Sequence, residues 1–331
     1  MGFASEFKKR VFNTTSKNFD ERALLLFKHQ AKNNPVYREY IENLGIDPSK
    51  IQHKKEIPFL PIQFFKTRDV LSNQDEMQYV FESSGTTGST PSKHWVTDYR
   101  FYLDNCKAIF EHFLNPLSSY SFLALLPSYL ERQNSSLIAM TDFFINQSYS
   151  LDSGYYLYNH QDLYEKLLQL KKKQTPTVLI GVTFGLLDFC EKHSIDFPDL
   201  ILIETGGMKG RKKEMLRAEV HNILNKHFGN PSICSEYGMT ELFSQAYAIN
   251  TETFTPPPWL QISLREVTDP LSSASGKSYG AINVIDLANV DSCAFIATDD
   301  LGKLYKDGSF EVIGRLDNSD VRGCNLMVTN Q

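Results

Sequence analysis

Ser232-Ile233-Cys234-Ser235-Glu236-Tyr237-Gly238-Met239-Thr240-Glu241 decides how this chain is read. Ser232 to Cys234 is a short buried strand by pattern. The polar, aromatic and glycine residues after it fall where an open α/β sheet meets its ligands, beyond the carboxyl end of a strand. The same alternation recurs upstream. An amphipathic helix over residues 101–114 precedes an apolar strand at 121–126. Helix 163–170 precedes strand 178–180, helix 185–190 precedes strand 200–203, and helix 212–228 leads into the strand at Ser232. Helices alternating with short apolar strands predict an α/β fold, a mainly parallel sheet flanked by helices.

Other clusters suit one ligand. Glu204-Thr205-Gly206-Gly207 follows the strand at 200–203, and its glycines would admit a flat ligand edge against the backbone. Tyr237 offers a ring face to a base, and Glu241 a hard oxygen suited to Mg²⁺ on a nucleotide's phosphates. Thr298-Asp299-Asp300 ends an apolar run and would present a carboxylate to ribose hydroxyls. Gly314-Arg315 would bring a guanidinium to sugar or phosphate oxygens. Ser83-Ser84-Gly85-Thr86-Thr87-Gly88, with Pro91 and Lys93 after it, packs glycines and hydroxyls where a backbone could wrap a polyphosphate, without the spacing of a P-loop. Each cluster also has an ordinary reading: a glycine turn, a core tyrosine, a solvated surface acid or arginine.

Bulk properties narrow the field. With 331 residues and a net charge of −5, the chain can bury a large core and carries no broad basic surface for nucleic acid. No apolar run is long enough to span a bilayer, and no secretory signal opens the chain, so the expected compartment is the cytoplasm. Its five cysteines include no CxxC pair, which fits reduced thiols better than disulfides or a zinc site. The expected organisation is an N-terminal helical cap over 1–50, an α/β core over 51–243 and a β-rich part over 244–331, together one structural unit. Residues 57–65, punctured by Pro58 and Pro61, read as an extended buried connection.

Taken in order, SSGTTG with Pro91 and Lys93, TGG, Tyr237-Gly238-Met239-Thr240-Glu241, Thr298-Asp299-Asp300 and Gly314-Arg315-Leu316-Asp317 resemble the motifs of the acyl-adenylate-forming superfamily. Thr90 and Ser92 lengthen the usual spacing of its phosphate loop. Leu125-Leu126-Pro127-Ser128-Tyr129-Leu130-Glu131-Arg132 and the terminal Val321-Arg322-Gly323-Cys324 further resemble the acyl-protein synthetase family of the bacterial fatty-acid reductase system.

The resemblance implies the superfamily's large-domain fold and ATP-dependent activation of a carboxylic acid, in that family a fatty acid, as acyl-AMP with Mg²⁺ present. It assigns nucleotide binding to Ser83, Ser84, Gly85, Thr86, Thr87, Gly88, Gly206, Gly207, Tyr237, Gly238, Thr240, Asp300 and Arg315. It assigns catalysis to Glu241, the Mg²⁺ ligand, to Lys93, and to Cys324 as the thiol that receives the acyl group. The onward partner would be an acyl acceptor or a reductase or transferase protein. The superfamily's small C-terminal domain, with its catalytic lysine, is expected to be absent, because the sequence stops at Gln331. Two readings stand beside this one: a non-catalytic nucleotide- or acyl-adenylate-binding regulatory subunit, and an acyl-CoA-dependent acyltransferase that has kept the fold.

Overall fold

The computed structural model describes residues 2–72, 77–83, 90–126, 134–206, 215–269, 271–274 and 276–316. Helices α1 (Phe3–Val11), α2 (Phe19–Asn33) and α3 (Pro35–Asn43) open the chain. Asn34 ends α2 and starts α3, its side-chain Oδ1 accepting from the Tyr37 amide at 3.0 Å with Pro35 at the first helical position, where a missing N–H costs nothing. These helices do not merely cap the molecule. Phe27, Ala31 and Tyr37 are buried in one core with Phe295 and Ile296, and Tyr37 stacks on Phe295 at 6.1 Å.

The connection over 57–65 contributes a two-residue strand, β1 (Leu60–Pro61), and leads into the short helix α4 (Phe64–Thr67). Proline keeps β1 at a sheet edge, paired on one side only. Next comes a hairpin that the sequence pattern did not suggest, β2 (Tyr79–Glu82) and β3 (Lys93–Val96), antiparallel with Glu82 opposite Lys93. The glycine- and hydroxyl-rich stretch lies between these two strands in sequence, and its residues 84–89 are outside the described residues.

Helix α5 (Tyr99–Phe113), capped by Asp98 at the Phe101 amide, precedes the alternating part. Its elements are β4 (Ser121–Leu125), α6 (Ser136–Ser148), β5 (Gly154–Tyr156), α7 (His160–Lys172), β6 (Thr177–Val182), α8 (Thr183–Cys190), β7 (Ile201–Thr205), α9 (Arg217–Phe228) and β8 (Ser232–Tyr237). β9 (Ala246–Ile249) completes a six-stranded sheet of order β5-β4-β6-β7-β8-β9, parallel except for β9. Strands β4 and β6 are buried throughout, as expected where helices cover both faces. The alternation thus folds as predicted, with three differences. The pattern assigned no element to α6 or to β5, and β9, within the part expected to be β-rich, belongs to this first sheet.

The second sheet contains β10 (Leu260–Arg265), β11 (Tyr279–Asp286), β12 (Phe295–Leu304) and β13 (Phe310–Arg315), with β1 parallel to β12. Strand β12 runs through Thr298-Asp299-Asp300 instead of ending there. Its register sets Asp300 opposite Arg315 of β13.

Candidate active site

Ser83 pairs with Ser92 beside the hairpin strands: its amide donates to the Ser92 carbonyl at 3.0 Å, and the Ser92 amide donates back to Ser83 Oγ at 2.8 Å. The Ser92 hydroxyl also lowers the pKa of the Glu241 carboxyl, so Ser92 lies beside the Tyr237–Glu241 segment. Ser84, Gly85, Thr86, Thr87 and Gly88 lie outside the described residues. Lys93 begins β3 with its side chain exposed, and no ion pair joins it to another described residue.

Glu241 is buried at 6 % exposure. Burial pushes its carboxyl above the usual range, while the Ser92 hydroxyl and the fields of Arg315 and Lys66 pull it back. Side chains outside the motif hold the backbone here. His94 Nδ1 lies 2.7 Å from the Thr240 carbonyl, and Asn289 donates to the Glu241 carbonyl at 2.9 Å. Burial lowers the His94 pKa to about 4, so Nδ1–H donates to Thr240 from a neutral ring. The buried Asp286 accepts from the amides of Phe243 and Ser244, both at 2.9 Å, from Ser244 Oγ at 2.7 Å and from the Ala288 amide at 3.1 Å. Gln30 of α2 braces the other side of that loop, donating to the carbonyls of Asn289 and Val290 at 2.8 and 2.9 Å.

Tyr237, the last residue of β8, donates its hydroxyl to Asp300 Oδ2 at 2.8 Å, and its ring packs edge-on against Phe310. Arg315 Nε lies 3.3 Å from Asp300 Oδ1, with most of the guanidinium in solvent. Burial raises the Asp300 pKa, with Arg315 and Tyr237 opposing that shift. Asp299 points away from this trio and accepts from Gln63 at 2.6 Å. Gly206 is exposed just past β7, and Gly238 is exposed just past β8. Gly207 and Cys324 lie outside the described residues.

Thus Ser83, Tyr237, Gly238, Thr240, Glu241, Asp300 and Arg315 are tied into one connected region, while Lys93 stands apart on the hairpin surface. Sequence reading missed Ser92, His94, Asp286 and Asn289. A buried histidine or aspartate inside an apolar run was the available signal, since such groups are rarely left unpartnered. The four described cysteines, Cys106, Cys190, Cys234 and Cys293, are buried and form no disulfide with one another.

Among the described residues no group of three or more metal-ligating side chains gathers. Glu241, a buried carboxyl in no ion pair with a described residue, fits the role of a single protein ligand to Mg²⁺, which is commonly held by one carboxylate and substrate phosphates. No helix among the described residues is long and apolar enough to cross a membrane.

No family model matches the chain. It is 20% identical over 328 residues to the long-chain-fatty-acid–luciferin-component ligase of Vibrio harveyi, covering 92% of this chain and 85% of that one. Its fold matches an open conformation of 2-hydroxyisobutyryl-CoA ligase in complex with 2-HIB-AMP and CoA, at a TM-score of 0.68 and 13% identity, over 95% of this chain and 71% of that one. O-succinylbenzoate coenzyme A synthetase from Bacillus subtilis, in complex with ATP and magnesium ion, matches at a TM-score of 0.52 and 14% identity over 73% of this chain. The chain spans about half, 51%, of that synthetase's length. The fold is therefore the α/β fold of these ligases, the fold that the motifs implied.

Proposed function

We propose that this protein activates a carboxylic acid with ATP, forming acyl-AMP and pyrophosphate, and then passes the acyl group to a thiol. The observation that carries the reading is the Tyr237–Asp300–Arg315 cluster, with the Tyr237 hydroxyl 2.8 Å and Arg315 Nε 3.3 Å from the Asp300 carboxyl, and with Tyr237 on the segment that goes on to the buried Glu241. The likeness to ligases solved with ATP and magnesium, and with an acyl-AMP, supports it.

In this reading the loop over Ser83–Gly88 binds the β- and γ-phosphates, and Tyr237, Gly206, Gly207, Gly238 and Thr240 border the nucleoside. Asp300 accepts from ribose hydroxyls, oriented by the Tyr237 hydroxyl and neutralised in part by Arg315. Mg²⁺ on Glu241 would supply charge neutralisation at the phosphates. His94, Asn289 and Asp286 fix the backbone that carries Glu241, so its carboxylate is placed before substrate arrives. A carboxylate oxygen attacks the α-phosphorus and the bond to pyrophosphate breaks. A thiolate then attacks the acyl carbon and AMP leaves with the bridging oxygen. We assign the thiol to Cys324, with Arg322 favouring the thiolate, and leave to Lys93 the role of an added cation near the phosphates.

The name of the Vibrio harveyi relative points to a long-chain fatty acid as substrate. The onward acyl acceptor is then a protein partner, a reductase or a transferase, and the compartment is the cytoplasm, where free thiols stay reduced. The test is carboxylate-dependent exchange of pyrophosphate into ATP, with and without Mg²⁺. The wild type exchanges label only with Mg²⁺ and an acid, and Glu241→Gln slows exchange at least on the order of a hundredfold. Undiminished exchange in that variant removes Glu241 from the metal site.

A further inference from the structure

Strand β8 presents two faces. Ile233 packs in a core with Val220 and Leu224 of α9, and Ser235 Oγ lies 3.0 Å from His221 Nε2 on the same helix. Cys234 and Glu236 alternate to the other side, where Cys234 shares a core with Tyr102 and Cys106 of α5. Glu236 raises the pKa of Tyr102, Cys106 and Tyr247, which places its charge among them. Tyr237 points to Asp300, so Glu236 lies across the strand from the proposed nucleoside side.

No described residue donates a hydrogen bond to the Glu236 carboxyl or forms an ion pair with it. Burial and the charge of Glu204 push its pKa up to about 7. A Cβ added to Gly238 would run into Glu236 Oε1 and lie 3.2 Å from Gln245 Cγ, so both side chains border one spot beside an exposed glycine. Gln245 is buried at 6 % exposure. Its Nε2 donates to the Phe243 carbonyl at 3.3 Å and to Cys106 Sγ at 3.9 Å, while its Oε1 has no partner. Neighbouring donors are committed or weak: the Tyr102 hydroxyl goes to the Ser136 carbonyl at 3.0 Å, and the Cys106 thiol is a poor donor. Gln245 Oε1 is therefore a buried acceptor without a donor, which costs stability unless a ligand or a proton completes it, and the half-buried carboxyl of Glu236 borders the same spot.

We propose that Glu236 and Gln245 form a subsite for a hydrogen-bond donor, a hydroxyl or ammonium group, carried by the carboxylic-acid substrate on the α5 side of β8. This rests on the adenylation reading and narrows its substrate: a plain alkyl chain lying there leaves both acceptors unpaired, whereas a hydroxylated or amino-substituted acid satisfies them.

Calorimetric binding without ATP, run beside pyrophosphate exchange, tests it with octanoate against its α-, β- and ω-hydroxy and amino derivatives. The wild type binds at least one substituted acid on the order of tenfold or more tightly than octanoate, and the hydroxy and amino series separate the two donor types. Glu236→Leu abolishes that preference while leaving the KM for ATP unchanged, and Gln245→Met provides the same readout should the first variant fail to fold. Equal binding of plain and substituted acids, or a preference that survives both substitutions, overturns the subsite and leaves a protonated Glu236 bonded to Gln245 Oε1. If the preference persists but no acid supports exchange, the adenylation reading falls and the subsite stands.

Discussion

Acidification separates two groups that titrate against each other, the buried His94 and the half-buried Glu236. His94 is fully buried with its pKa lowered to about 4 from 6.5, so the unfolded chain binds its proton first. Its contribution to stability is intact above pH 6.5 and is lost as pH falls toward 4. Glu236 behaves oppositely. Its pKa is raised from 4.5 to about 7, so its contribution is full below 4.5 and is lost as pH rises through 7. Linkage gives each group about 2 kcal/mol between pH 7 and pH 5, with opposite signs, and the partial exposure of Glu236 trims its share. The two nearly cancel in the wild type. Urea unfolding at pH 7, 6 and 5 on wild type, His94→Gln and Glu236→Gln checks this. Relative to wild type, His94→Gln should gain about 2 kcal/mol on going from pH 7 to pH 5, and Glu236→Gln should lose a similar or smaller amount, roughly 1–2 kcal/mol. Variants with stability parallel to wild type across that range would show that neither group is held away from its ordinary pKa, and would refute the burial argument for both.

Asp286→Ala removes the acceptor of four hydrogen bonds that shape the loop after Glu241 and leaves buried amides unpaired, so it should cost about 3 kcal/mol by urea unfolding. A change under about 1 kcal/mol would mean the loop holds itself. Cys324→Ser should leave pyrophosphate exchange intact and abolish a hydroxylamine-sensitive acyl protein labelled from radioactive fatty acid. Unchanged labelling would exclude this cysteine as the acyl carrier.

The parallel sheet was legible because its strands are short apolar runs separated by amphipathic helices, a periodicity that burial on both faces enforces. Helix α6 was not, since its face toward the core is too broad for its apolar run at 137–144 to look helical, and β5 is only three partly buried residues. The hairpin β2–β3 was not legible, because its strands are only four residues each and flank a glycine- and hydroxyl-rich stretch of sequence. Asp300 and Arg315 were legible as residue types, but their pairing was not, because it depends on the register of two strands that sequence pattern leaves open. His94, Asn289 and Asp286 act through contacts across more than forty positions of sequence, which no local spacing reveals.

Transfer of an oxygen from acid to nucleotide tests the central claim most directly. With a carboxylic acid labelled with heavy oxygen on its carboxylate, ATP, Mg²⁺ and a thiol or hydroxylamine acceptor, mass spectrometry of the released nucleotide should find AMP carrying one heavy oxygen, the atom that bridged acyl carbon and phosphorus. AMP without label, or ADP as the product, would contradict an acyl-adenylate intermediate.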